Sequence, residues 1–256
     1  MGAMCTAIVS VDPASPVPVL LVGVRDEFLD RAWEPPGHHW PEYPRLLGGR
    51  DRRAGGTWLA VDPGARRAAT VLNGRGPLAP EGRRRSRGDL SLRVAANGDP
   101  GDLDLPAYDP FFLLGVQPDG ARMWSWDGAE HTERDLGPGL HIVVNNGLNG
   151  EGHREGVVED AFMHARLAHL RPLLAAAPRP EPRPGGDARD WAPWLAELEG
   201  GGLDRTDQRT LLPLHEFEPG RVWGTTSISL VGLAPDLVRY DFSARPGDPS
   251  AWTTIL

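Results

Sequence analysis

Residues 4–24, "MCTAIVSVDPASPVPVLLVGV", decide how the rest of the chain is read. Behind Cys5 stand Thr6, Ala7, Ile8, Val9, Ser10 and Val11, small and β-branched residues that favour an extended, partly buried segment. The turn signal "DPASP" follows, and Val17 to Val24 then supplies a second apolar run, so two adjacent antiparallel strands open the fold. That run has eight residues and contains Pro18, far short of a membrane-spanning helix. Further on, "GGTWLAVD" and "RAATVLN" continue the β pattern. "YDPFFLLGVQPDGARMWSWDG" reads as a hairpin about "QPDG", followed by "GLHIVVNNGLNG".

The pattern changes after residue 155. Val158, Ala161, Phe162, Ala165 and Ala168 recur at helical spacing between Gly156 and Leu170, which predicts a helix that covers the sheet with this face. Residues 172–187, "PLLAAAPRPEPRPGGD", are rich in Pro and Gly and predict an exposed connection. A shorter helix is expected in "DARDWAPWLAELEG", with Asp187 or Asp190 at its start and Gly200 at its stop. "RVWGTTSISLVGL" and "VRYDF" predict the last strands. Strands, then helices, then strands again indicate an α+β class, taken here as one domain over residues 1–256.

Composition narrows the partners. A formal net charge of -8 and a pI near 5.5 argue against binding to nucleic acid or an anionic membrane. Cys5 is the only cysteine, which rules out an intramolecular disulfide and cysteine-based zinc or haem-attachment spacing. No basic stretch precedes an apolar one at the amino end, and the expected location is cytoplasmic. All 27 basic residues are Arg, which reads as a GC-rich coding bias.

A cysteine at a free amino terminus combines a nucleophile with its own base, because an α-amine of pKa about 7.7–8.0 can take the thiol proton. Methionine before a small residue is readily removed, so a start at Met4 exposes Cys5. The alternative is an inert buried thiol in a strand. His38-His39 in "PPGHHW" is a weaker metal or haem candidate, and His164 and His169, five apart, do not share a helical face. "GRRRSRG" at 82–88 reads as an exposed loop. Trp33, Trp40, Trp58, Trp124 and Trp126 pack a core or line an apolar pocket. Walker, Rossmann, HExxH and GxSxG patterns are absent from the sequence.

An ordered set of segments resembles the NRDE-motif family, which includes the transport and Golgi organisation protein 2 group. The segments are "MCTAIV" (4–9), "VLLVGVRDEFLDRAW" (19–33), "LLGGRDRRAGGTWLAVD" (46–62) and "AATVLNGRG" (68–76). They continue with "SRGDL" (86–90), "YDPFFLLG" (108–115), "VVNNGLN" (143–149) and "WGTTSISLV" (223–231). The resemblance implies a four-layer αββα sandwich of the amino-terminal nucleophile hydrolase type, with Cys5 as the mature terminus. Bacterial members of the family often lack an assigned reaction, and eukaryotic relatives are tied to Golgi organisation and to haem or lipid handling.

The motif's Asn-Arg-Asp-Glu stands here as Val24-Arg25-Asp26-Glu27. The resemblance implies that Arg25 and Asp26 support the thiol and the terminal amine; a strand-end ion pair is the competing account. It places Asn73 and Asn145 as oxyanion donors, with Asn146 as an alternative alignment, although Asn-Gly is also common turn chemistry. Trp58, Asn146 and Thr226 are the expected substrate contacts. Val24 and Thr226 depart from the family pattern, the latter where relatives carry Arg, which could move the charge requirement to Arg221.

The expected function is a cysteine hydrolase or acyl-transfer enzyme for a small amide, needing no cofactor. The alternative is a non-catalytic carrier of haem or an acyl lipid.

Overall fold

A computed structural model describes residues 5–256. The chain opens with β1 (Thr6–Val11) and β2 (Val19–Phe28), then β3 (Trp33–Gly37), β4 (Leu47–Asp51), β5 (Leu59–Asp62) and β6 (Arg67–Asn73). Helix α1 (Gly88–Asn97) precedes β7 (Phe111–Gln117), β8 (Gly120–Trp126), β9 (His131–Leu136), β10 (Gly139–Val144) and β11 (Gly147–Leu148). Helices α2 (Val158–Ala176) and α3 (Ala192–Leu198) follow, then β12 (Leu214–Glu218), β13 (Arg221–Ala234), β14 (Leu237–Ser243) and β15 (Trp252–Thr254).

Two antiparallel sheets carry these strands. The first runs β11-β10-β1-β2-β13-β14-β15, with β12 also on β13; the second is the meander β3 to β9 in chain order. The α+β class follows directly from this arrangement.

Three apolar clusters explain the packing. Ala7, Val9 and Leu21 of the first sheet meet Leu59, Val61 and Leu114 of the second. On its other face, Ile8, Val22 and Val24 meet Met163, Leu170 and Leu174 of α2, together with Trp191 and Trp194. Leu90 and Val94 of α1 cover Ala60, Ala69, Leu113 and Trp124 of the second sheet. Because β1 is covered on both faces, all six of its residues are buried, and the segment reads as a continuous run rather than an alternation.

Several expectations need correction. Of the predicted face, Val158, Ala161 and Ala168 point outward, Ala165 is half-buried and Phe162 packs at the edge of the core; the buried face is Asp160, Met163, Arg166, Leu167, Leu170 and Leu174. The larger Met and Leu side chains bury more apolar area than alanines, and the two charged residues in their stripe hid it from an apolar count. The helix also runs through Pro172 to Ala176, so the connection starts at Ala177 rather than 172. Leu170 and Leu174, on either side of Pro172, hold both turns on the sheet and outweigh the lost hydrogen bond.

Nor is the connection freely exposed. Pro180 and Pro182 are buried, and Arg179 donates to Ser10 Oγ at 2.9 Å, Ser15 Oγ at 2.8 Å and the Pro18 carbonyl at 3.0 Å. Downstream, Asp187 accepts from Arg189 N in a short 3₁₀ turn before α3, and Gly200 adopts φ +98° after it, as the sequence indicates.

Candidate functional site

Strand register assembles the site. Thr6 pairs with Val24 on one side and Val144 on the other, so continuing both registers by one position sets Cys5 between Arg25 and Asn145. Cys5 Sγ donates to the Asp26 carbonyl oxygen at 3.5 Å. It lies on a cavity of about 670 Å³ whose walls include Arg25, Trp58, Asn73 and Arg87. Burial, and then the nearby Asp26 carboxylate, push the thiol up to about 12, so it is protonated throughout the neutral range. Arg25 acts in the opposite direction.

Arg25 and Asp26 are consecutive on β2 and leave it on opposite faces. The Arg25 guanidinium enters the space between the sheets, 4.6 Å over the Trp58 ring. Its Nη2 lies 3.5 Å from Asp51 Oδ2 and 3.9 Å from Glu27 Oε2. A β-bulge in β13 sits opposite: Thr225 pairs with Asp26 and Ser227 with Arg25, which leaves Thr226 as the extra residue. Thr226 Oγ1 accepts from Arg25 Nη1 at 2.9 Å and donates to the Arg25 carbonyl at 3.1 Å. The Thr226 hydroxyl thus ties down Arg25. Arg221 points elsewhere, 3.8 Å over the Phe28 ring.

The Asp26 side chain turns toward α2. Thr225 Oγ1 donates to Oδ1 at 2.7 Å, and Arg166 Nη1 donates to Oδ2 at 3.3 Å and to Thr6 Oγ1 at 3.0 Å. Burial holds the Asp26 pKa at about 6, with Arg166 opposing the rise. Val24, on the same side of β2, joins the apolar cluster there.

Asn73, at the end of β6, lines both the Cys5 cavity and an adjoining one of about 380 Å³ that contains Asn145. Asn145 Nδ2 donates to the Asn73 carbonyl at 2.6 Å, while its buried Oδ1 has no partner among the described residues. Asn146, the other residue of the β10-β11 turn, lines a separate small cavity with His153 and His164. The structure therefore brings Cys5, Arg25, Asp26, Asn73 and Trp58 to one cavity and Asn145 to its neighbour; Asn146 faces away and Thr226 supports from below.

Arg166, Thr225 and Arg87 were not legible as site residues. An Arg inside the apolar stripe of α2 was the available signal for Arg166. "GRRRSRG" is exposed over residues 82–86, as the sequence indicates, but it also forms the cavity rim: Arg84, Arg85, Ser86, Arg87 and Gly88 all line it. Gly56 permits this, since a Cβ there would stand 2.5 Å from the Gly88 carbonyl carbon, and Thr57 N donates to the Gly88 carbonyl at 3.0 Å.

His39 bonds to the Pro35 carbonyl at 2.9 Å, and no group of three or more His, Cys, Asp or Glu is placed to hold a metal ion among the described residues. Another cavity of about 400 Å³, lined by Arg67, Gly98, Gln117 and Arg122, shares no residue with the Cys5 cavity and holds no cysteine, serine or histidine. No helix among the described residues is long and apolar enough to cross a membrane.

A family model described as Transport and Golgi organisation 2 matches residues 4–168. The chain belongs to the Transport and Golgi organisation 2 family. The match covers Cys5, Arg25, Asp26, Asn73 and Asn145. Of the residues beyond it, β13 pairs with β2 from Trp223 to Leu233 and supplies both Thr225 and Thr226. No curated protein matches the chain.

Proposed function

We propose that this Transport and Golgi organisation 2 family member is an amino-terminal cysteine hydrolase or acyl-transfer enzyme acting on a small amide. The observation that carries the reading is Cys5 at the end of β1, facing a cavity with an arginine beside it and the Asn73 amide on the cavity wall. The two facing sheets with helices on both outer faces support the αββα, amino-terminal nucleophile type of fold.

Cys5 preceded by other residues has a thiol too basic to attack. Removal of Met4 and anything before it, a step outside the described residues, supplies the missing base. The freed amine takes the thiol proton, and Sγ attacks the amide carbon. The Asn73 amide and the free N–H of Asn145 donate to the oxyanion. The resulting ammonium protonates the leaving amine, and the same amine then activates the water, or acceptor nucleophile, that releases the acyl group. Arg25, fixed by Thr226 and Trp58, favours the thiolate.

The cavity lining supports this reading over a haem or acyl-lipid carrier. Ala54, Trp58 and Val71 are its apolar walls, against eleven charged residues, whereas such ligands bury mostly apolar surface. The test expresses the protein from Met4 and from Met1, establishes each terminus by intact mass, and compares turnover of an amide panel. Activity confined to the form beginning at Cys5 is expected; equal turnover by a form retaining Ala3-Met4 refutes the mechanism.

A further inference from the structure

The cavity's charges are unevenly matched. Arg25 and Arg31 share Asp51 and Glu27, with Arg31 Nε 2.6 Å from Asp51 Oδ2, and Arg84 Nε lies 3.1 Å from Asp109 Oδ1. Asp26 is held by Arg166. Arg87 has no carboxylate within 4.0 Å among the described residues; its one hydrogen bond runs from Nη1 to the Pro110 carbonyl at 2.8 Å. It is half-buried, and burial lowers its pKa while the charge of Asp109 acts in the opposite direction. Arg53 and Arg85, at the exposed edge of the cavity, also lack a carboxylate within 4.0 Å among the described residues, and the exposed acid that lines this edge is Glu81.

A guanidinium has five N–H donors in a planar fork that suits a carboxylate or phosphate bidentately. A half-buried one held by a single neutral carbonyl keeps most of them free and bears a desolvation cost that an anion would offset. Arg87 also lines the adjoining cavity with Asn73 and Asn145, so a group bound there lies next to the amides assigned to the oxyanion.

We propose that the Cys5 cavity selects substrates bearing an anionic oxyacid group, carboxylate or phosphate, and that Arg87 binds it, assisted at the rim by Arg85 and Arg53. This deepens the hydrolase reading and rests on it for the word substrate; the anion site itself does not.

Two measurements separate the claims. In the first, the full chain is titrated with glutarate, inorganic phosphate and neutral glutaramide, following the melting temperature. A saturable rise with glutarate or phosphate, absent with glutaramide, is expected; which anion gives it distinguishes the two sources. The rise should vanish in Arg87→Met and persist in part in Arg87→Lys, which controls for folding.

In the second, the form beginning at Cys5 is given N-glutaryl and N-butyryl p-nitroanilide. Arg87→Met should raise KM for the glutaryl compound at least tenfold, with kcat and the butyryl compound little changed. Anion binding without turnover of either amide would leave the site standing and remove the hydrolase reading. Turnover with no glutaryl preference, or no response to either anion, would overturn the anion site.

Discussion

Arg166→Met removes a buried cation from beside a buried carboxylate. The guanidinium is 4% exposed and Asp26 is fully buried, at 3.3 Å. Breaking such a pair by deleting one partner costs about 3–5 kcal/mol. At roughly 2–4 °C per kcal/mol for a domain of this size, the melting temperature should fall by about 6–20 °C at pH 7.5.

The pH dependence gives a sharper check. The folded Asp26 pKa, about 6, lies above its ordinary value of 3.8, so the folded state holds this proton more tightly than the unfolded state. The charged group therefore penalises the fold above pH 6, and the penalty is relieved as pH falls from 6 toward 4. Without Arg166 the folded pKa rises further, and relief begins at higher pH. Differential scanning fluorimetry from pH 8 to 5 should show the variant's deficit shrinking, and Asp26→Asn added to Arg166→Met should recover part of it at pH 7.5. A deficit that stays constant over this range, or an unchanged melting temperature, would refute the buried-pair argument.

Three other substitutions probe the site. Asn73→Ala should lower kcat by about 10²–10³ with little change in KM if its amide meets the oxyanion, and a pure KM effect would reassign it to ground-state binding. Thr226→Val leaves Arg25 Nη1 and the Arg25 carbonyl without their hydroxyl partner; a loss of about 1–3 kcal/mol in chemical denaturation is expected, and none at all would mean that Arg25 is held by its other contacts. Gly56→Ala puts a methyl 2.5 Å from the Gly88 backbone, so amide exchange across residues 84–88 should accelerate, and unchanged exchange there would contradict the close approach.

The β framework was legible where strands are buried on both faces or bounded by turn dipeptides: "QPDG" lies at the predicted β7-β8 hairpin, and Val17 to Val24 lies mostly in β2, whereas β3, β4, β12, β15 and the exposed β9 carry no such signal and were not predicted. Helix α1 was missed because its ten residues follow an arginine-rich run, although Gly98, at φ +92° and closing on the Val94 carbonyl, marks its end. The face of α2 was misread because its working residues, Asp160 and Arg166, are charged. Asp160 pairs with Arg75 and with the nearby Arg154, and Arg166 with Asp26; the Arg75 and Asp26 contacts join residues far apart in sequence, which periodicity does not register. The proximity of Cys5, Arg25 and Asn73 was anticipated through a family pattern. The role of Thr226 as an anchor, and the place of "GRRRSRG" on the cavity wall, depend on a bulge and a Gly56-Gly88 approach visible only in the fold.

The central claim is that freeing the Cys5 amine turns a dormant thiol into a nucleophile. Its most direct test is the rate of iodoacetamide alkylation at Cys5 against pH, for the form that begins at Cys5 and the form that begins at Met1. In the longer form the thiol stays near 12, which leaves a thiolate fraction of about 10⁻⁴ at pH 8. A terminal ammonium that restores an ordinary thiol pKa of about 8.5 should speed alkylation by tens of fold, after allowing for the lower nucleophilicity of the weaker base. A mature form that alkylates as slowly as the longer chain, with the same pH midpoint, would contradict the account.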